Sequence, residues 1–345
     1  MKIDNFLISN KSKPFIIAEV AQAHDGSLGQ AFAFIDAVSS AGADAIKFQT
    51  HLAEYESSKF DKFRPGTFFP QDKTRFDYWK RMEFSSSEWL KLKKYANERG
   101  LSFLSSPFSI EAVDMLEEIK VPAWKIGSGE FFNTLLIERI LKTKKPLLIS
   151  TGLSSLKEIK KLSKTLDVKK AKYAFFQCNS EYPCPPERVG LNMIEELGAL
   201  LNCPIGFSDH SGEVASSLAA VTMGAKIIEV HVSLSEFGFG PDHTSSLTID
   251  KLKSLVHGAK FIHTALSNPV NKNKSSKKNL ATKKLFTRSL FASEDILPGM
   301  QLTEKNIRFK KPAGGLSFQD FSKLSGKKIT KKVKCNEMLT LDHFK

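Results

Sequence analysis

Two histidines sit in contexts unlike those of a surface or an ordinary core residue. His210 lies in the polar knot Ser208-Asp209-His210-Ser211, directly after an apolar run, and His231 lies inside another run, "KIIEVHV". Read as a strand, that run turns Ile227, Glu229 and His231 to one face and Ile228, Val230 and Val232 to the other. The same alternation puts Lys47 and Gln49 of "DAIKFQ" on one face, Glu19 of "FIIAEV" opposite Ala18 and Val20, and Lys125 of "AWKI" opposite Trp124 and Ile126. Each run offers one apolar face and one face with an ionisable group near its C-terminal end. Buried charges are costly unless paired. Glu19, Lys47, Lys125 and Glu229 with His231 therefore read as a site, a structural ion-pair network being the other reading. Gln49 is a further candidate to touch substrate. Two imidazoles at neighbouring strand ends leave open positions on a shared divalent ion, as a Lewis acid needs; hydrogen-bonded core histidines are the alternative.

The turns after these runs are rich in small polar residues: "KIGSGE" (125–130), "STG" (150–152), "NSEYPCPPE" (179–187) and "SDHSG" (208–212). Backbone N–H groups and serine hydroxyls in such turns suit phosphate capture. With Lys47 and Lys125 they describe a pocket for a phosphorylated, carboxylated anion.

The elements that must position these groups alternate regularly. Short β-rich runs occur at 15–20, 44–49, 101–106, 121–126, 146–150, 172–178, 204–208 and 226–232. Between them lie amphipathic stretches such as "SSSEWLKLKKYANERG" and "SIEAVDMLEEI", each opened by a serine suited to cap a helix. Eight β-then-α units over this length predict a (β/α)8 TIM barrel. A doubly wound sheet is the alternative, but "AEVAQAHDG" lacks the glycine-rich fingerprint that commonly follows its first strand. We expect a barrel domain over 1–266 and a polar, flexible linker over 267–284, "SNPVNKNKSSKKNLATKK", spanning about 25 Å as coil. A small, mostly β module follows over 285–345.

Composition excludes several classes. The 345 residues are 41% hydrophobic and 26% charged, as in a soluble globular protein. The net charge of +14 invites a nucleic-acid reading, but residues 251–345 alone hold 21 Lys and Arg against 6 Asp and Glu. Nineteen of those cations are lysines, without the interleaved aromatics and arginines of a base-stacking surface. A solvated lysine face, or a field drawing in an anionic substrate, fits better. No apolar run approaches a bilayer span, "MKIDNFLISNKSKPF" lacks a signal-peptide core, and the four cysteines form no CxxC pair. The expectation is a cytoplasmic protein without nucleic-acid or membrane partners.

The segments "IIAEVAQAHDGSLGQA", "AGADAIKFQTH", "SSPFS", "KIGSGE", "LISTG", "EYPCPPE", "GFSDHSGE", "GAKIIEVHVSL" and "GPDHTSSL" resemble the sialic acid synthase family, which includes N-acetylneuraminate, legionaminate, pseudaminate and 9-phosphate synthases. The stretch from "RSLFASEDILPGM" to "LSGKKI" is similar to the family's C-terminal antifreeze-like (SAF) domain. This resemblance implies metal-dependent condensation of phosphoenolpyruvate (PEP) with an open-chain N-acetylmannosamine-type sugar, giving a nine-carbon 2-keto acid and phosphate. By motif match, Lys47, Lys125, Ser106, Ser128, Ser150, Ser180 and Ser208 would hold PEP. His210 and His231 would bind Mn2+, with Mg2+ or Co2+ as alternatives. Glu19, Tyr182 and Asp242 would contact the sugar, and Glu130 would be poised for proton transfer. The acceptor stays open among N-acetylmannosamine, its 6-phosphate and a diacetamido-dideoxyhexose. The resemblance further implies a domain-swapped homodimer whose SAF domain covers the partner's barrel mouth and reaches the sugar with an arginine in a "KRP" segment. Here that segment reads "KKP", so Lys311 stands in its place; Ala23 and Ser106 likewise stand where many members have Asn and Thr. The insert-like stretch 63–84 is expected to line the sugar side. A non-catalytic carbohydrate-binding protein acting through the SAF module is the competing reading.

Overall fold

Each of the eight apolar, β-rich runs forms a parallel strand buried on both faces. In this computed structural model, which describes residues 1–64 and 71–345, they are β1 (Phe15–Ala21), β2 (Ala45–Thr50), β3 (Ser102–Pro107), β4 (Trp124–Ile126), β5 (Leu147–Ser150), β6 (Tyr173–Cys178), β7 (Ile205–Asp209) and β8 (Ile227–Ser233). Each pairs with the next, and β8 pairs with both β7 and β1, so the sheet closes. Closure removes the open doubly wound alternative and leaves a TIM barrel. The outer ring comprises α1 (Leu28–Ala41), α2 (Ser86–Glu98), α3 (Ile110–Glu118), α4 (Thr134–Leu141), α5 (Leu156–Val168), α6 (Asn192–Leu200), α7 (Val214–Thr222) and α8 (Ile249–Ser267). Serines start several of them. Ser85 and Ser155 form capping boxes with Glu88 and Glu158, and Ser109 caps α3 through the Ala112 N–H.

The two strand faces have separate fates. Ile46, Phe48, Phe103, Trp124, Phe175, Phe207 and Val230 pack outward against the helices. The inward positions form two layers. At the N-terminal end, Ile17, Ala45, Leu104, Leu148, Phe176 and Ile227 make an apolar plug with Ile3 and Ile8, which flank the second strand of a short N-terminal β-ribbon. Above it, Glu19, Lys47, Ser106, Lys125, Ser150, Ser208, Glu229 and His231 are buried polar groups. Phe176 separates the layers. A Cβ at Gly206 would lie 2.8 Å from the Phe176 ring, so the neighbouring strand has room only for glycine there.

The connection from β2 to α2 carries two extra helices, Ala53–Glu56 and Arg75–Met82, whose Tyr78, Trp79 and Met82 bury a small core against Ala53. Of the insert at 63–84, residues 65–70 lie outside the described residues. Among the described residues, no helix is long and apolar enough to cross a membrane.

The chain divides into compact units Met1–Ser267 and Asn268–Lys345. The segment 267–284 is more ordered than its composition implies. It holds α9 (Lys272–Lys278) and most of α10 (Leu280–Phe286), and the Asn271 side chain caps α9 by accepting from the Asn273 and Lys274 N–H groups. In the second unit β9 (Ser289–Ala292) pairs antiparallel with β10 (Ile307–Lys310), and α11 (Phe318–Leu324) adds a helical turn pair not anticipated from sequence. Leu290, Ile296, Leu302, Phe321 and Val333 form this unit's own core.

Trp89 on α2 is almost fully buried, its ring 5.6 Å from Phe48 and 5.0 Å from Phe84. Trp89→Ala should therefore lower the unfolding free energy by about 3–5 kcal/mol in urea denaturation followed by circular dichroism. An unchanged midpoint would mean that the ring does not hold α2 to the barrel.

Candidate active site

The strand register brings the inward charges into one ionic layer. Glu19 and Lys47 are direct partners across β1 and β2, and His231 and Glu19 are partners across the closing seam. Lys47 Nζ lies 2.6 Å from Glu19 Oε2 and 3.8 Å from Glu229 Oε1. Lys125 Nζ donates to the same Glu229 oxygen at 3.0 Å and to Ser150 Oγ at 2.7 Å. Burial pulls the Lys47 pKa down, but Glu19 and Glu229 outweigh it and the net shift is upward, so the ammonium stays charged. For Glu229, burial favours the neutral acid, yet Lys125 and Lys47 reverse the balance and hold it well below the usual carboxylate range. Two cations are thus held side by side by two anions, out of water.

Serines surround the cations. Lys47 Nζ donates to Ser106 Oγ at 3.2 Å, and Ser208 Oγ lies 3.3 Å from Glu229 Oε1. The Gly152 N–H donates to Ser128 Oγ at 3.1 Å. A Cβ at Gly152 would come within 2.6 Å of Ser180 Oγ, 2.9 Å of Cys178 Sγ and 3.0 Å of Ser128 Oγ, so the turn after β5 packs its backbone into the serine cluster.

The opposite side of the cavity is built from the β2–α2 connection and the loop after β8. Asp242 accepts from Arg64 Nη2 at 3.0 Å, and the Arg64 guanidinium lies 4.5 Å from the Tyr182 ring centroid. Burial first, then Asp242, pushes the Tyr182 phenol up, leaving it a proton donor at neutral pH. Glu130 accepts from Asn133 Nδ2 at 2.7 Å; burial raises its pKa, the direction that suits a proton donor.

The two histidines meet at this junction. Their ring centroids are 5.4 Å apart, and Tyr182 stacks on His210 at 4.1 Å. His210 Nδ1 faces the Asn179 carbonyl, which can only accept, so Nδ1 carries the proton and Nε2 keeps its lone pair. Burial, then the neighbouring His231, lowers the His210 pKa to about 3, leaving the neutral ring that ligates metals. Glu229 Oε2 is buried without a hydrogen-bond partner. Among the described residues no group of three or more His, Cys, Asp or Glu side chains is arranged to hold a metal. The His210 and His231 rings are the two nitrogen donors that face each other at this junction.

A cavity of about 470 Å3 joins these parts. It is lined by the candidate site residues of the barrel: Glu19, Lys47, Gln49, Ser106, Lys125, Ser128, Glu130, Ser150, Ser180, Tyr182, Ser208, His210, Glu229, His231 and Asp242. Lys311 belongs to the second unit, where its Nζ lies 5.2 Å from the Phe286 ring centroid. Arg64, Arg75, Tyr78 and Trp79 of the insert also line the cavity, along with Gln22, His51 and Glu56. Sequence reasoning passed over these last three. His51 carried a signal, since it continues the phase of Lys47 and Gln49, whereas Gln22 follows the end of β1 and Glu56 ends a four-residue helix, neither with a repeating pattern.

The raised Glu130 pKa has a stability consequence. The folded state holds this proton more tightly than the unfolded chain, so folding loses stability as pH rises from the usual 4.5 towards the folded value. Glu130→Gln should raise the melting temperature slightly at pH 7.5 and leave it unchanged at pH 4. A variant less stable at both pH values would contradict the burial argument.

The comparisons with known proteins agree with this geometry. The NeuB family model matches residues 34–271, and the SAF domain model matches 287–345. The chain is 33% identical to the N,N'-diacetyllegionaminic acid synthase of Campylobacter jejuni, over 95% of this chain and 99% of that one. It is 34% identical to the human N-acetylneuraminate-9-phosphate synthase, over 91% and 88% respectively. Among solved structures, the N-acetylneuraminic acid synthetase of Leptospira borgpetersenii superimposes with a TM-score of 0.73 at 29% identity, covering 82% of this chain and 95% of that one. The chain belongs to the NeuB family of nonulosonic acid synthases, with a C-terminal SAF domain.

Proposed function

We propose that this protein condenses PEP with an open-chain N-acetylmannosamine-type sugar, forming a nine-carbon 2-keto acid and inorganic phosphate. The observation that carries the reading is the buried pair Lys47 and Lys125, bridged by Glu229 and ringed by serines, beside two imidazoles. A carbohydrate-binding module has no use for such a layer. The lysines hold the anionic enolpyruvyl group, while Ser106, Ser128, Ser150, Ser180 and Ser208 offer hydroxyls to its phosphate and carboxylate oxygens. Glu19, Gln49, Tyr182 and Asp242 orient the sugar so that its aldehyde carbon faces C3 of PEP. The C3–aldehyde carbon bond forms, water adds at C2, and phosphate leaves with cleavage of the C2–O bond. The added water gives up two protons in all, one matching the proton gained by the sugar oxygen and one leaving with phosphate as C2 becomes a ketone, and Glu130 suits the donor role to the sugar oxygen. His210 and His231 would hold a divalent ion, Mn2+ in our reading, which would supply Lewis-acid polarisation of the aldehyde. The reading includes a homodimer in which Lys311 of the SAF domain reaches the sugar, as a point charge in place of an arginine fork.

The similar relatives differ in their named products at almost equal identity. The acceptor is therefore best found by assay. Phosphate release should be measured with PEP, Mn2+ and each of N-acetylmannosamine, its 6-phosphate and a 2,4-diacetamido-dideoxyhexose; one acceptor should give turnover that EDTA stops. Silence with all three would overturn the condensation reading. Separately, His210→Ala and His231→Ala should each lose Mn2+ binding by electron paramagnetic resonance titration and lose turnover, with an unchanged circular dichroism spectrum. Retained Mn2+ affinity in both variants would make the histidine pair structural.

A further inference from the structure

Beyond the charged layer, an uncharged wire of side chains runs from Glu19 to a second buried carboxylate, Glu56. Gln49 Nε2 donates to Glu19 Oε1 at 2.9 Å. Gln22 Nε2 lies 2.6 Å from Gln49 Oε1 and 2.8 Å from His51 Nε2. His51 Nδ1 lies 2.6 Å from Glu56 Oε1. The carboxylates at the two ends determine every proton between them. Glu19 accepts, so the Gln49 amide must present its NH2 there and its oxygen to Gln22. Glu56 accepts, so His51 must carry its proton on Nδ1, leaving Nε2 as an acceptor. The Gln22 NH2 group then has two protons and two acceptors, Gln49 Oε1 and His51 Nε2, which lie 3.2 Å apart. No other tautomer or amide orientation pairs every link.

The imidazole is also fixed in its plane. Trp79 stacks on His51 at 3.8 Å between centroids with 15° between planes, and Phe108 stacks at 4.3 Å and 12°. His51 is buried, and both flanking aromatic residues line the cavity. One wall of this sandwich comes from the extra helix Arg75–Met82 and the other from the turn after β3.

We infer that His51 is a positioning residue: held by Glu56, Trp79 and Phe108, it acts through Gln22 and Gln49 to aim the Glu19 carboxylate at the acceptor sugar. The catalytic part of this inference rests on the proposed condensation. Lys47 already holds the other Glu19 oxygen at 2.6 Å. The wire supplies the second point that stops the carboxylate from rotating. Among the described residues no hydrogen bond joins Gln22, Gln49, His51 or Glu56 to one of the serines or to Lys125, so loss of the wire should spare PEP.

The test separates kcat from KM. His51→Ala should lower kcat by up to about a hundredfold, the cost of a misaligned catalytic group, with the KM for PEP within about twofold. His51→Gln places an amide oxygen where Nε2 stood and should recover most of the rate, whereas His51→Asn is too short to reach Gln22 and should not. Equal losses in the Gln and Ala variants, or an Ala variant that weakens PEP as much as it slows turnover, would overturn the inference. Should His51→Ala fail to fold, Glu56→Gln, which still accepts from Nδ1–H, should keep the rate, while Glu56→Leu should lose it. Histidine-selective 15N NMR of the ligand-free protein reads the network without any reaction, the His51 resonances being identified by their loss in His51→Gln. A neutral ring protonated at Nδ1 is expected, and an Nε2-protonated or charged ring would overturn the wire. An enzyme inactive with every acceptor would sink the proposed function, and the NMR result would still decide the network.

Discussion

The structure depends on keeping four charges inside a barrel. Glu19, Lys47, Lys125 and Glu229 are all buried, and an unpaired charge in such a place costs several kcal/mol. Neutrality is reached only because the four come from strands that closure makes neighbours: β8 lies against β1, and β1 against β2, while Lys125 reaches Glu229 from across the barrel. Break the closure and Glu229 loses both lysines. The same arrangement leaves the cations close together above Phe176, whose ring face lies 5.0 Å from Lys125 Nζ. A polyanionic ligand entering from the mouth therefore meets positive charge already desolvated and already in place.

Around that layer the site divides by the kind of element that builds it. The side ascribed to PEP uses short turns directly after β4, β5, β6 and β7, where small residues let backbone and hydroxyl groups crowd together. The side we assign to the acceptor uses long connections, the helical excursion after β2 and the loop after β8, which bring in Arg64, Trp79 and Asp242. Short turns are set by the strands they leave, whereas long connections vary without disturbing the barrel.

The Glu56–His51–Gln22–Gln49–Glu19 chain ties the excursion after β2 to the ionic layer. Its inner links, His51, Gln22 and Gln49, carry an orientation without adding charge, which suits a cavity already crowded with ions. Its aromatic clamp also gives the excursion a structural purpose, since the helix Arg75–Met82 buries Tyr78, Trp79 and Met82 and so delivers Trp79 against the imidazole.

Strand alternation by itself determined the number of strands, which residues point inward, and hence the membership of the ionic layer; a period of two survives any packing that keeps the strands. The serine-rich turns and the His210–His231 pair were legible for the same reason, being tied to strand ends. Other features were not. The helix α9 within a polar segment starts on a local cap at Asn271 that composition does not reveal, and α10 follows it directly. Glu229 was visible as inward but had no assigned role until closure placed it between two lysines. Gln22 leaves β1 after a bulge and an Ala21 with φ of 49°, and Glu56 sits on a four-residue helix, so neither follows a repeating pattern. Periodicity reports which face a residue occupies, while partnership between loops is decided only when the barrel closes and brings distant segments within hydrogen-bonding reach.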